Sequence, residues 1–243
     1  VVDEEDIGWD ILWDEDYSGR ILMFDNPRDA FAIAENMLGY SLNTENSEEL
    51  EKAAEKLKEQ KKVVQAYVMD EIFDKMGAGE AIIAPYYAGD AVTLMDEYED
   101  LGFVIPDSGT NLFIDAVCIP KGCRNKEAAE MYINFLCEPE VAAQNIEFIG
   151  YSTPNLAAYE LLDEDMQQNE IAYPSQEVLS NTEAFVFLPA ETSTLMDKLW
   201  TEVLSNDENY SKWTIPAFLL VGILFSIGIN VRRMLLKKKE NMM

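Results

Sequence analysis

Apolar residues fall into short runs separated by longer amphipathic stretches, a pattern that predicts alternating strands and helices. Residues 20–24 read as a strand. A helix over 27–39 follows, with Asn26 at the N-cap and Pro27 at the first helical position. A Glu- and Lys-rich helix spans 47–60, and 62–67 is a second strand. Residues 69–76 form a short helix ended by Gly77 and Gly79, and 80–87 is a strongly apolar strand. A helix over 91–101 and strands at 103–105 and 112–119 complete this part. Alternation of this kind implies crossover connections and a largely parallel sheet with helices on its faces, an α/β protein. From Asn125 the pattern turns helical: 126–136, a helix starting at Pro139, a turn over 150–155, and helical pieces at 155–162, 176–181 and 192–204.

The pattern changes near the C-terminus, where the 19 residues 213–231 carry no charge and are followed by Arg232, Arg233, Lys237, Lys238 and Lys239. At about 1.5 Å per residue such a helix is roughly 28 Å long, close to the ~30 Å hydrocarbon core of a bilayer. It is expected to span a membrane. Basic residues at its C-terminal end place that end in the cytoplasm and everything before Trp213 outside. At the other end no apolar leader precedes the acidic run Asp3 to Asp6, so an export signal has been removed or the chain is a fragment.

Charge narrows the function. The chain holds 46 acidic and 18 basic residues, a net −28. It repels the phosphates of nucleic acid and draws in cations. Histidine is absent, which removes Ser-His-Asp and Cys-His nucleophiles, and neither GxxxxGK[ST] nor GxGxxG occurs to cradle a phosphate. The chain is therefore not read as an enzyme. Cys118, Cys123 and Cys137, irregularly spaced, make no zinc site. Cys118 and Cys137 are most simply small core residues; a Cys118–Cys123 bridge stays open. Neither metal nor cofactor is expected.

The informative residues are aromatics and acids at strand ends. Tyr86 and Tyr87 close one apolar strand, Phe113 and Asp115 share a face of another, and Tyr151 lies in a turn. Ligands of open α/β sheets bind outside the carboxyl ends of strands. An aliphatic cation suits such a set: carboxylates hold its ammonium groups and aromatic faces cover its methylenes. Each ring taken singly also reads as ordinary packing. Asp29 also reads as a first-turn acid after the Asn26 cap. Asp115, amid Phe113, Ile114, Ala116 and Val117, is expected to be buried against a partner.

Several stretches resemble the bacterial spermidine/putrescine-binding proteins of ABC transporters: Gly109 to Pro120, Tyr132 to Leu136, Pro139 to Ala142, and Ile149 to Ala158 with its Gly-Tyr-Ser-Thr-Pro-Asn turn. The resemblance extends back through Trp9 to Trp13, Gly19 to Asp25 and Leu38 to Ser41, and forward to Tyr173-Pro174. It implies a two-lobed periplasmic-binding-protein-like α/β fold of type II that closes on a polyamine between its lobes. Carried over by position, Asp115 grips one amine and Asp29 replaces the family's usual glutamate at the other. Asn26 stands where the family often has aspartate, Tyr87 and Phe113 where it often has tryptophan, and Tyr151 on its characteristic tyrosine.

The resemblance also sets an expected domain plan with the N-terminal part of the fold missing. Residues 1–19 enter the second lobe, 20–108 form it, 109–150 return to the first lobe, and 151–206 pack across both. Residues 207–212 are a linker, 213–231 the membrane helix and 232–243 a basic cytoplasmic tail. Hinges are expected near 107–109 and 149–151. The implied function is polyamine capture outside the cell membrane and delivery to an ABC permease with its ATPase subunit. Two alternatives stay open: capture of another small cationic or organic solute, and a membrane-anchored sensor.

Overall fold

The computed structural model describes residues 7–205. The expected membrane helix at 213–231 and the tail at 232–243 lie outside the described residues. Among the described residues no helix is long and apolar enough to cross a membrane.

Two 3-10 turns, Trp9–Trp13 and Glu15–Tyr17, lead into β1 (Ile21–Phe24). Every residue of β1 is buried, as suits a strand covered on both faces. Helix α1 (Pro27–Met37) follows, capped by Asn26, whose side chain accepts a hydrogen bond from the Arg28 amide. Helix α2 (Ser47–Gln60) is capped in the same way by Asn46. Strand β2 (Val64–Val68) pairs with β1 in parallel, Leu22 opposite Ala66 and Phe24 opposite Val68.

Helix α3 (Glu71–Gly77) precedes the segment expected as strand 80–87. That segment makes a single parallel bridge, Ile83 to Ile21, on the free side of β1. Pro85 explains the difference: it has no N–H to continue a ladder. Helix α4 (Ala88–Glu97) starts three residues earlier than the expected 91, which draws Gly89 and Asp90 into its first turn. Ile21, Leu22, Met23, Phe31, Leu50, Leu57 and Ile72 form the main core between these elements.

The expected strand at 103–105 is irregular, and of the one at 112–119 only Leu112 is in a strand, as the last residue of β3 (Thr110–Leu112). Its turn is pinned at Gly109, whose φ of 100° suits glycine and whose missing Cβ leaves room for the Asn181 carbonyl. Trp9 Nε1 donates to the Gly109 carbonyl at 2.8 Å. Helices α5 (Lys126–Leu136), α6 (Pro139–Ile149), α7 (Leu156–Tyr159), α8 (Glu164–Gln167) and α9 (Gln176–Ser180) follow. Strand β4 (Thr182–Ala184) then pairs with β3 in parallel, and α10 (Ala190–Ser205) sends Met196, Leu199, Trp200 and Val203 into the main core. Ala142, Ala143, Ala158 and Leu162 make a second, small core.

Beyond Leu112 the expectation of burial fails. β4 supplies only three partners, so the chain leaves the ladder, and Ile114 and Val117 are 81% and 63% exposed. Cys118, in this segment, and Cys137, at the end of α5, are both free and exposed rather than core residues, and Cys123 is free as well.

Candidate functional site

A cavity of about 1330 Å3 opens where β1, the 82–89 segment, the 110–115 segment and the 150–154 turn converge. Phe24, Asp29, Tyr86, Tyr87, Phe113, Asp115 and Tyr151 line it. Local structure aims each of them. Phe24 ends β1, Asp29 sits in the first turn of α1, and Tyr87 is the N-cap residue of α4. Phe113 and Asp115 follow β3 directly, and Tyr151 follows Gly150, the left-handed cap of α6.

The rings form a continuous arc. Phe24 stacks on Tyr87 at 5.0 Å between centroids, Tyr87 meets Phe113 edge-on at 5.4 Å, and Phe113 meets Tyr151 edge-on at 6.2 Å. Carboxylates stand at both ends. The Tyr87 hydroxyl donates to Asp29 Oδ2 at 2.9 Å, and the Tyr151 hydroxyl donates to Asp90 Oδ2 at 3.0 Å. Asp115 is exposed at the cavity rather than buried, and its charge acts on both Asp90 and Tyr151. Of the apolar neighbours expected to bury it, Ile114, Ala116 and Val117 are themselves exposed.

Burial holds the Asp29 carboxyl above the usual carboxylate range, against the opposing pull of the Tyr87 hydrogen bond and the Arg28 charge. Asp90 is raised by burial and by the charges of Asp70 and Asp115, while its bond from Tyr151 lowers it. Burial also pushes the phenols of Tyr87 and Tyr151 up, and the adjacent aspartates add to the effect, so both remain neutral donors.

Five of the six sequence-derived candidates therefore gather: Asp29, Tyr87, Phe113, Asp115 and Tyr151. Asn26 does not line the cavity; its side chain caps α1. Sequence reasoning missed Phe24 and Asp90. Phe24 was legible as the last residue of a buried strand, whereas Asp90, behind Tyr151 and outside the cavity lining, reads in sequence as part of a Gly-Asp turn. Among the described residues no group of three or more histidine, cysteine or acidic side chains could hold a metal ion. The arrangement offers aromatic faces and separated negative charges, which suits an elongated aliphatic cation.

Residues 7–182 match the bacterial extracellular solute-binding protein family, and the chain belongs to it. The spermidine/putrescine-binding periplasmic protein of Escherichia coli is 36% identical over 175 residues, covering 72% of this chain and 50% of that protein. The putrescine-binding periplasmic protein SpuD of Pseudomonas aeruginosa is 29% identical over 191 residues, 76% of this chain and 52% of that one. Among solved structures, the spermidine/putrescine ABC transporter substrate-binding protein PotD of Streptococcus pneumoniae superposes with a TM-score of 0.69 at 32% identity. That superposition covers 84% of this chain and 63% of the other. The chain spans about half the length of the curated relatives it matches. The α/β fold is thus that of a periplasmic binding protein, and the family is one of solute-binding proteins rather than enzymes.

Proposed function

We propose that this chain is the solute-capturing component of an ABC importer for putrescine or spermidine. It works outside the cell membrane and delivers its ligand to the permease, which an ATPase subunit drives from the cytoplasm. The observation that carries this reading is the arc Phe24–Tyr87–Phe113–Tyr151, with Asp29 at one end and Asp115 near the other. The names of the similar proteins support the same ligand class.

In this reading Asp115 takes one ammonium group and Asp29 the other. Tyr87 and Phe113 cover the methylenes, each cation–π contact contributing about 0.5–2 kcal/mol, and Tyr151 closes the far end. Asn26 acts on the Asp29 end through the first turn of α1. Residues 20–108 are one lobe, 109–150 lead to the other, 151–206 pack across them, and 207–212 link to an anchor at 213–231. The charge-free run and the basic cluster after it support the anchor and its orientation.

The test is calorimetric titration of the full chain with putrescine and spermidine, beside Asp115→Asn and Asp29→Asn. Micromolar or tighter binding by the parent, weakened at least tenfold by each substitution, is expected from removing the carboxylate that faces an ammonium. Because burial raises Asp29, an arriving ammonium favours its ionised form, so affinity should increase with pH through that titration. No heat with either amine, or unchanged affinity in Asp115→Asn, would overturn the reading.

A further inference from the structure

Glycine is among the poorest helix formers, yet Gly89 lies inside the first turn of α4. Its backbone does not require glycine, since its φ is outside the left-handed region. Space does. A Cβ built on Gly89 would fall within the ring of Tyr151, closer than 3.0 Å to Cγ, Cδ2 and Cε2. The ring therefore rests against bare helix backbone, a close approach that any side chain at position 89 would forbid.

The opposing segment repeats the device. Gly150 has a φ of 72°, and a Cβ there would lie 2.7 Å from the Gly89 carbonyl oxygen and 3.1 Å from Thr93 Oγ1. The Thr93 hydroxyl is 3.3 Å from the Gly89 carbonyl and 3.5 Å from that of Ile149, so it spans the joint. Tyr151 leaves this joint with its ring on Gly89 and its hydroxyl on the next residue, Asp90, at 3.0 Å.

We propose that Gly89 is the positioning residue of the Tyr151 arm. By lacking a Cβ it seats Tyr151 on α4 and Asp90, and so sets the affinity of the Asp115 end for the terminal ammonium of an aliphatic diamine or triamine. This rests on the polyamine reading given above. The glycine does not touch ligand itself; it acts through the ring and hydroxyl of Tyr151.

The experiment compares Gly89→Ala, Tyr151→Ala and the double variant in the full chain. Three readouts are needed: calorimetry with putrescine and spermidine, thermal melting, and the NMR titration of the Asp90 carboxyl without ligand. Gly89→Ala is expected to weaken both amines about tenfold or more, since the charge-assisted contacts at that end depend on ring placement. In the ligand-free protein it should move the Asp90 midpoint upward, because the Tyr151 bond that lowers it is lost. In the Tyr151→Ala background, Gly89→Ala should change neither affinity nor the Asp90 midpoint, and its helix-favouring methyl should keep or raise the melting temperature.

Parent-like affinity in Gly89→Ala, an unmoved Asp90 midpoint, or a further loss in the double variant would each overturn the proposal. Should Gly89→Ala alone fail to fold, recovery in the double variant supports the clash with the ring and continued failure refutes it. If the parent binds neither amine, the polyamine reading falls, and the Asp90 titration still decides whether Gly89 seats Tyr151.

Discussion

Helices α1 and α5 each run eleven residues, each follows an asparagine, and each carries apolar residues at helical spacing. Their surroundings differ completely. Helix α1 buries the whole run from Asp29 to Glu35, while α5 buries no residue and leaves Met131, Tyr132 and Phe135 67%, 59% and 49% exposed. An amphipathic stripe states which face seeks cover, and only the rest of the fold states whether cover exists. For α1 the cover is α2, β1, β3 and the Trp9–Trp13 turn; for α5 it is α6 along part of one side.

The strongest way to break this comparison is to truncate an equivalent aromatic on each helix. Phe31 is fully buried, so Phe31→Ala removes its transfer energy and leaves a cavity, a loss of about 3–5 kcal/mol. Phe135→Ala should change stability by no more than about 0.5 kcal/mol, as surface substitutions do. Urea unfolding of the two variants measures both. A loss in Phe135→Ala comparable to that in Phe31→Ala would mean that the α5 face is covered in solution.

A pH profile sharpens the same contrast. Glu35 on α1 is 1% exposed, and neither of its carboxylate oxygens has a hydrogen-bond partner. Burial, with Glu183 and Glu49 adding repulsion against the attraction of Arg28, raises its carboxyl from 4.5 to about 7. The folded protein therefore holds a proton that the unfolded chain releases. Stability should fall as pH rises from about 4.5 to about 7, by about 3 kcal/mol, and level off above. Glu35→Gln should flatten that slope. On α5, by contrast, Glu130 faces solvent and pairs with Lys126 at 3.1 Å, an exposed ion pair of little weight. Denaturant midpoints between pH 4 and 8 decide it, and a slope that survives Glu35→Gln would remove the buried carboxyl as its source.

The same contrast explains how far the sequence could be read. β1, α1, α2, α5 and α6 were legible because caps, prolines and periodicity are local signals. Residues 80–87 and 112–119 have equally strong strand patterns, but pairing is not local. Pro85 stops the first after one bridge, and of the second only Leu112 finds a partner, Ala184 of β4. The error over Asp115 has the same origin: apolar neighbours predict burial only where something lies on top of them. In the site, Asp29, Tyr87, Phe113 and Tyr151 line one cavity, Asp29 and Tyr87 from the starts of α1 and α4, whose helical patterns are local signals. Asp90 and Gly89 stayed hidden because their role is a contact with residue 151, some sixty positions away, which no spacing along the chain encodes.

The smallest expected effect lies at the helix starts. Asn26 Oδ1 accepts from the Arg28 amide at 2.9 Å, whereas Asn125 stands before α5 without a side-chain cap bond. Asn26→Ala should cost about 1 kcal/mol, the usual value of a lost N-cap, and Asn125→Ala only a few tenths. Asn26→Asp should keep the bond and add a favourable charge at the positive end of the helix, tempered by Asp29 three residues on. Thermal melts of these three variants test the ordering. A loss in Asn125→Ala equal to that in Asn26→Ala would show that α5 is capped in solution, and identical sequence signals at the two helix starts would then have identical energetic meaning.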